Sequence, residues 1–285
     1  MTHKTNAETT KELLDTLSAE VEALRTSEGW MAWLEVAKRF HRYSPNNQML
    51  IAWQCPEATH VMGYGSKDKS TGWLSLGRQV RKGEKAIYIL APIVRKVRNE
   101  KTGEDEPRVV GFRGASVFDV SQTDGEPLPA SPAELWEQAM DALPVGERDE
   151  AIWDALRAAV ESLGLNVVIE EERMGGALGW WLPGTKDVHV VRREFGLMAG
   201  TLAHEAGHAL DPALNPSDYD QNELVAESVS WLLSARLGFP KSEVSAIYLA
   251  HFGGTTDTLE AVANRVKKVA EKVLDALDAK EEVSA

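Results

Sequence analysis

The chain has 285 residues, of which 43% are hydrophobic and 26% charged, and its formal net charge is −13 at pH 7. This composition is typical of a globular protein with one large or two modest domains and excludes a disordered chain. The single cysteine, Cys55, excludes an internal disulfide and indicates a reducing compartment. With a polar N-terminus and no apolar run near the ~18 residues of a membrane span, the sequence predicts a cytoplasmic protein without a membrane partner.

The charge is unevenly distributed along the chain. Between Trp30 and Arg113 there are 15 Lys+Arg against 8 Asp+Glu, a net charge of +7, whereas Ala115–Ala285 holds 13 against 30, a net charge of −17. A basic segment in an acidic chain indicates either an anionic partner or a solvated strand surface. Charge alone does not separate these two interpretations.

The first part of the chain predicts helices followed by strands. Helical periodicity and turn residues predict helices at Lys11–Leu24, at Trp30–Phe40 and from Ser44 to about Pro56. β-branched and aromatic residues predict strands at Lys85–Val97 and Arg108–Val120, joined by the polar hairpin loop Asn99–Glu106.

The polar, proline-rich stretch Ser121–Pro132 predicts a linker. We therefore expect a first domain at 1–125, a linker at 126–132 and a second domain at 133–285. Beyond the linker, helices are predicted at Ser131–Leu143, Glu147–Leu163, Glu194–Asp211, Asn222–Leu237 and Thr256–Lys280, and strands at Asn166–Glu170, Ala177–Leu182 and Asp187–Val191. The predicted fold class is α+β: a small α+β domain followed by a mainly helical domain with a short β-sheet.

The most informative motif is His204-Glu205-Ala206-Gly207-His208. Residues four apart on a helix project from one face, so both imidazoles can reach one metal ion. The carboxylate of Glu205 then lies where it can take a proton from metal-bound water. The pattern predicts a Zn²⁺ centre with a hydrolytic role.

A catalytic zinc needs a third protein ligand, and the helix beginning near Glu223-Leu224-Val225-Ala226-Glu227 offers two carboxylates on one face. We assign Glu223 as the metal ligand and Glu227 as the acceptor of the remaining ring N–H of a ligand histidine. Asp211, three residues past His208, is the competing candidate, and Glu227 could also exchange roles with Glu223.

The strand ahead of the site contains the small residues Gly176, Ala177 and Gly179. On an edge strand they would let an extended peptide pair its backbone beside the metal. A plain hairpin packed on the helix is an equally good interpretation of this segment.

These motifs resemble the zincin metallopeptidases with a glutamate ligand on a following helix. The segments His204-Glu205-x-x-His208 and Glu223-x-x-Ala226-Glu227 are similar to ImmA/IrrE-type domains, and more so to the C-terminal domain of ArdC-type antirestriction proteins of mobile elements. The resemblance implies a zinc metalloendopeptidase acting on a protein or peptide. It also implies that Tyr219, four residues before Glu223, steadies the oxyanion of a peptide intermediate.

The N-terminal half resembles the same family. The matching segments are Tyr43–Ile51, Gly72–Leu74, Val80–Lys85, Val117–Val120 and Gln122–Pro129. The resemblance implies a domain that binds single-stranded DNA. Between Trp73 and Val80 the chain is shorter than the family pattern, which puts in doubt a helix expected there.

Single-strand binders combine cations with aromatic faces on which bases stack. The predicted phosphate contacts are Arg78, Arg81, Lys82 and Lys85. The candidate stacking residues are Trp30, Trp33, Trp53, Trp73 and Tyr88, although any one of the tryptophans more often belongs to the core than to a stacking surface. Two functions are therefore weighed: a zinc peptidase fused to a DNA-binding domain, or a non-proteolytic DNA-protection protein whose metal domain is structural or regulatory.

Overall fold

The computed structural model describes residues 6–65, 72–98, 104–172, 174–240 and 256–284. Its mixture of helices and strands confirms the α+β fold class. The chain divides into two compact units: the first comprises Met1–Ala23 and Asn46–Leu128, and the second comprises Leu24–Pro45 and Pro129–Ala285. Among the described residues, no helix is long and apolar enough to cross a membrane.

The helices and strands follow the sequence patterns closely. From the N-terminus to the middle of the chain they are α1 (Asn6–Ala23), α2 (Ser27–Ala37), α3 (Pro45–Gln54), β1 (Val61–Met62), β2 (Arg78–Val80), β3 (Ile87–Arg98), β4 (Asp105–Asp119) and β5 (Thr123–Gly125). The remainder are α4 (Pro132–Asp141), α5 (Val145–Ser162), β6 (Asn166–Glu170), β7 (Gly179–Trp181), β8 (Asp187–Val191), α6 (Phe195–Leu210), α7 (Tyr219–Leu237) and α8 (Thr256–Ser284). Part of the hairpin loop expected at Asn99–Glu106 lies outside the described residues.

The first unit is built on the long antiparallel hairpin β3–β4, with β1 on the other side of β4. The apolar stripe of α1, formed by Leu13, Leu17 and Val21, is buried because this helix packs on the hairpin. The family pattern has a helix between Trp73 and Val80, which the shorter chain put in doubt. In the structure this segment contains one 3-10 turn, Trp73–Leu76.

Helix α3 covers the inner part of the free edge of β3 with two side-chain amides. Asn47 exchanges two hydrogen bonds with the backbone of Leu90 (2.9 and 3.0 Å), and Gln54 does the same with Tyr88 (2.7 and 2.9 Å). The next residue of β3 with this alternation is Pro92, which has no N–H to leave unpaired at a strand edge. The edge is therefore satisfied by side chains where it is buried.

At the end of β4 the chain is fixed by the buried side chain of Asp119. Its Oδ1 accepts hydrogen bonds from the backbone N–H of Thr59 (2.7 Å) and His60 (2.9 Å), and its Oδ2 accepts one from Ser121 (2.9 Å). Burial raises the pKa of the Asp119 carboxyl, but these hydrogen bonds outweigh burial, so the pKa lies below its ordinary value. The carboxylate thus joins three segments of the first unit.

The second unit places helices around a three-stranded sheet of order β6-β8-β7. Strand β6 is parallel to β8, and β7 is the antiparallel edge strand. Val188 and Val190 of β8 are fully buried under the helices. Helix α8 is part of this core, because it buries an apolar stripe consisting of Leu259, Val262, Val266, Val269, Val273 and Leu277.

The two units differ from the expected contiguous domains in one segment. Residues 24–45, which we expected in the first domain, belong to the second unit. The reason is packing: Trp30 is fully buried, and its indole N–H donates a hydrogen bond to Ser228 Oγ on α7 at 2.9 Å. At the other boundary, Thr123–Gly125 pairs with β2, and Ser131 caps α4 through a capping box with Glu134.

Candidate metal centre

Helices α6 and α7 approach each other very closely at Gly207 and Ala226. A Cβ at Gly207 would lie 2.8 Å from the Cα and 3.2 Å from the Cβ of Ala226. Only a glycine fits this contact, and it brings the histidine face of α6 within reach of the carboxylate face of α7. Gly207, in the middle of the motif, is therefore required by packing, a role that the sequence analysis did not assign.

The close approach brings together His204, His208 and Glu223. The two Nε2 atoms are 3.2 Å apart, and each lies 3.4 Å from a carboxylate oxygen of Glu223. The candidate donor atoms of all three residues lie within 4.8 Å of one another, in half-buried side chains. The arrangement has the composition of a two-histidine, one-carboxylate cation site.

The electrostatics of the three groups are strongly coupled. Burial raises the pKa of the Glu223 carboxyl, but its hydrogen bonds with both imidazoles outweigh burial and lower the pKa to about 2. Burial lowers the pKa of His204, yet the hydrogen bond with Glu223 and the charges of Glu205, Glu223 and Glu227 raise it above its ordinary value. The carboxylates around the two imidazoles therefore favour positive charge at this site.

Glu205 lies beside this pocket at the edge strand β7. Burial is the largest cause that raises the pKa of its carboxyl, while the two histidines and a backbone hydrogen bond from Trp181 lower it, and the net shift is upward. A Cβ at Gly179 would lie 3.0 Å from Glu205 Cγ and 2.4 Å from Thr201 Cγ2. Gly179 thus lets the edge strand lie directly against the Glu205 side chain.

The outward backbone groups of β7 face away from β8. Val191 N–H donates to Leu178 O at 2.9 Å, so in this antiparallel register the N–H and C=O groups of Gly179 and Trp181 point to the free edge. Because the Trp181 N–H donates to the Glu205 carboxylate, the outward backbone groups that remain at this edge are the N–H and C=O of Gly179 and the C=O of Trp181.

The remaining predicted site residues occupy different surroundings. Asp211 is held in an ion pair with Arg265 at 2.6 Å, away from the three donor atoms. Glu227 lies near enough to His204 for its charge to raise that pKa, and it is absent from the donor cluster found among the described residues. Tyr219 is the first residue of α7, and its side chain is 63% exposed.

The predicted phosphate contacts separate into two groups. Arg78 donates to Thr123 and to the backbone of Gly125 and Glu126, so it holds β2 against β5. Arg81 is bound to Glu84 at 2.8 Å and to Asp124 at 3.3 Å. Lys82 and Lys85 are exposed. Two of the four cations are thus engaged in structural contacts.

The candidate stacking residues also separate. Trp30, Trp33 and Trp73 are at most 3% exposed and belong to cores, whereas Trp53 is 55% and Tyr88 41% exposed. The interpretation that the tryptophans belong to a core is correct for the three buried rings, because each of them contributes a large apolar surface to the core around it.

A further cationic surface lies on the hairpin beyond its covered part. We call residues 91–98 and 105–113 the outer ribbon. Arg95 and Arg108 are directly opposite each other on one face, and Arg113, opposite Ala91, lies four pairs further in. All three are exposed and make no hydrogen bond or ion pair within the described part of the chain. Phe112, on the other face, is 54% exposed. No role was predicted for these three arginines from the sequence, although they contribute to the basic charge of its first half.

A known protein family matches the N-terminal part of the chain. Residues 5–118 match the family model described as the N-terminal domain of anti-restriction factor ArdC. This match confirms the resemblance expected for the N-terminal part of the chain. The metallopeptidase resemblance of the second half stays a prediction.

Two solved structures of the antirestriction ArdC protein from the R388 plasmid are similar to this chain. The metal-free structure has 22% sequence identity and a TM-score of 0.48, with 82% of this chain and 85% of that chain covered. The Mn(II)-bound structure has 20% identity and a TM-score of 0.45, with coverages of 86% and 97%. No curated protein matches the chain.

Proposed function

We propose that the second unit is a zinc-dependent metallopeptidase, in which His204, His208 and Glu223 hold the ion. The observation that carries this proposal is the convergence of the donor atoms: the two Nε2 atoms are 3.2 Å apart, His204 Nε2 lies 3.4 Å from Glu223 Oε2, and His208 Nε2 lies 3.4 Å from Glu223 Oε1. Donors ~2.0–2.1 Å from a tetrahedral zinc ion are about 3.3–3.4 Å apart. Two imidazoles and one carboxylate also suit the chemical preference of zinc.

Glu205 is the proposed general base. A bound zinc ion would acidify water and polarise a peptide carbonyl. The Glu205 carboxylate would accept a proton from that water and return it to the leaving amine. The free edge of β7 supports a peptide substrate in extended form, because its outward backbone groups flank Glu205. Tyr219 would donate to the developing oxyanion.

The test compares Glu205→Gln with Glu194→Gln, an exposed residue just before α6. We expect Glu205→Gln to lower the rate of casein cleavage about 10²- to 10⁴-fold, the usual contribution of a general base, with equimolar zinc retained. Glu194→Gln should cleave at the wild-type rate. Cleavage that survives in Glu205→Gln would exclude the general-base role, and wild-type protein without proteolysis would favour a structural or regulatory metal.

The second candidate function is binding of single-stranded DNA by the first unit, as part of an antirestriction role. It is supported by the ArdC-type N-terminal match and by the unpaired guanidinium groups of Arg95, Arg108 and Arg113. Like charges directly opposite each other destabilise a strand pair, so Arg95 and Arg108 are better explained by an external polyanion. The exposed Lys82 and Lys85 add to this surface.

An oligothymidylate titration at several salt concentrations tests this assignment. Each phosphate contact to a single strand contributes about 0.7 to the slope of log affinity against log salt. We expect Arg95→Ala with Arg108→Ala to reduce the slope by about 1.4. Arg81→Ala should change it little, because Glu84 and Asp124 already neutralise that side chain. A slope reduced by Arg81→Ala and unchanged by the double variant would instead place the DNA contact at the Arg81 turn.

A further inference from the structure

The strongest unexplained feature of the second unit is a buried cation on its last helix. Arg265 of α8 is 8% exposed, and it is the one charged residue besides Asp119 among the buried polar side chains described. Removing a guanidinium from water costs several kcal/mol unless partners compensate. Apolar residues fill the neighbouring positions of α8, so core packing alone does not call for an arginine here.

Arg265 binds both ends of the connection between the two metal-site helices. Its Nε and Nη2 donate to Asp211 Oδ2 at 2.9 and 2.6 Å, just after α6 ends. Its Nη2 also donates to Asn222 Oδ1 at 2.7 Å, and its Nη1 donates to Gln221 Oε1 at 3.3 Å, both in the first turn of α7. One side chain therefore joins the end of α6 to the start of α7.

Each of these partners lies close to a proposed metal ligand. Asp211 is three residues after His208, and Asn222 immediately precedes Glu223. Asn222 also closes the intervening loop, because its Nδ2 donates to Asn215 O at 2.6 Å. A helix is rigid over one turn, so a shift at the end of α6 moves the His208 imidazole by a similar amount, and a shift at the start of α7 moves the Glu223 carboxylate likewise.

Helices α6 and α7 meet at Gly207 and Ala226, two small residues that allow close approach, and Ser230 Oγ of α7 donates a hydrogen bond to Gly200 O of α6 at 3.3 Å. The contacts of Arg265 with Asp211 and Asn222 lie on the other side of the Gly207–Ala226 contact, next to the proposed metal ligands. We propose that Arg265 is a positioning residue of the metal centre, which fixes the register of α6 against α7 and so holds His208 and Glu223 at coordinating distance. This inference rests on the proposed metal site.

Arg236 supplies a matched control. Its Nη2 lies 3.2 Å from Asp278 Oδ1 in a largely buried ion pair that also joins α7 to α8. Arg236 is thirteen residues after Glu223 on the same helix, about 20 Å along its axis. Loss of this pair removes a comparable interhelical contact without touching the ends of the α6–α7 connection.

The experiment measures zinc affinity by chelator competition in the full chain and the visible spectrum of the cobalt-loaded protein. Removing a group that orients metal ligands usually costs 10- to 100-fold in affinity, and we expect this loss in Arg265→Met with an altered cobalt spectrum. Arg265→Lys keeps the charge but not the forked geometry, and it should lose affinity by a smaller factor. Arg236→Met should match wild type in both readouts.

The outcomes separate the two proposals. Wild-type protein without stoichiometric zinc would refute the metal centre itself. Zinc in the wild type together with unchanged affinity and spectrum in Arg265→Met would refute the positioning role alone. If Arg265→Met does not fold by circular dichroism, Arg265→Lys decides: wild-type affinity and spectrum in that variant overturn the proposal, and a loss that Arg236→Met does not share supports it.

Discussion

The two units use charged residues in opposite ways. In the second unit, the imidazoles of His204 and His208 converge on the Glu223 carboxylate, and among the described residues no lysine or arginine forms an ion pair with it. In the first unit, Arg78 and Arg81 are bound by neighbouring acceptors, whereas Arg95, Arg108 and Arg113 of the outer ribbon are exposed and make no ion pair with the described residues. The contacts of each side chain thus separate the structural cations Arg78 and Arg81 from the exposed ones, a distinction that their positions in the sequence did not show.

The largest expected effect that sharpens this comparison is the stabilisation by zinc. Zinc at 1,000 times its dissociation constant should stabilise the native state by about 4 kcal/mol, because it binds folded and not unfolded protein. Hydrogen exchange should show the protection in α6 and α7 and leave β3 and β4 unchanged. Equal protection of the outer ribbon would contradict a zinc site confined to the second unit.

The next effect concerns Asp119, whose charge has internal partners. Asp119→Asn should lower the free energy of unfolding of the first unit by about 1.5–3 kcal/mol at pH 7, because a carboxylate loses its charge-assisted hydrogen bonds. Asp124→Asn, at an exposed pair, should cost under about 1 kcal/mol. Hydrogen exchange of residues 58–62 in urea measures both.

The pH dependence of the Asp119 contribution follows from the direction of its pKa shift. Because the folded-state pKa lies below the ordinary value of 3.8, the stabilisation is fully present above the unfolded-state value and is lost as the pH falls through the folded-state pKa. The difference between wild type and Asp119→Asn should therefore shrink below about pH 4. A difference that grows on acidification would show that the carboxylate is not the stabilising form.

The smallest effect separates two glycines of α6. Gly207→Ala should destabilise the second unit by about 1–3 kcal/mol, because the added methyl meets the backbone of Ala226. Gly200→Ala meets nothing within 4 Å and should stabilise the helix by about 0.5–1 kcal/mol. Urea unfolding of the zinc-free protein measures both changes. Equal effects would mean that the close helix approach is not required.

The helices and strands that the sequence predicts correctly are those with a clear local periodicity. Strands Asn166–Glu170 and Asp187–Val191 were predicted with their observed bounds, and the motif helix within one residue at each end. These patterns depend on neighbouring residues. The assignment of residues 24–45 to the second unit depends on Trp30 meeting Ser228, almost two hundred residues away, and no local pattern encodes that contact.

The same limit applies to the site. Helical spacing predicted that His204 and His208 share a face, and a following carboxylate helix suggested Glu223. The choice between Glu223 and Asp211 required the partner of Asp211, and Arg265 lies 54 residues further along the chain. The small residues Gly207 and Gly179 were visible in the sequence, but their purpose depends on which element packs against them.

The central claim is that two imidazoles and the Glu223 carboxylate bind one divalent cation. The most direct test is a zinc titration of wild type and of Glu223→Ala, with metal content measured after dialysis. We expect one zinc per wild-type chain and a large loss of affinity in Glu223→Ala, with Asp211→Asn still retaining one zinc per chain. One zinc per chain bound at wild-type affinity in Glu223→Ala would contradict it.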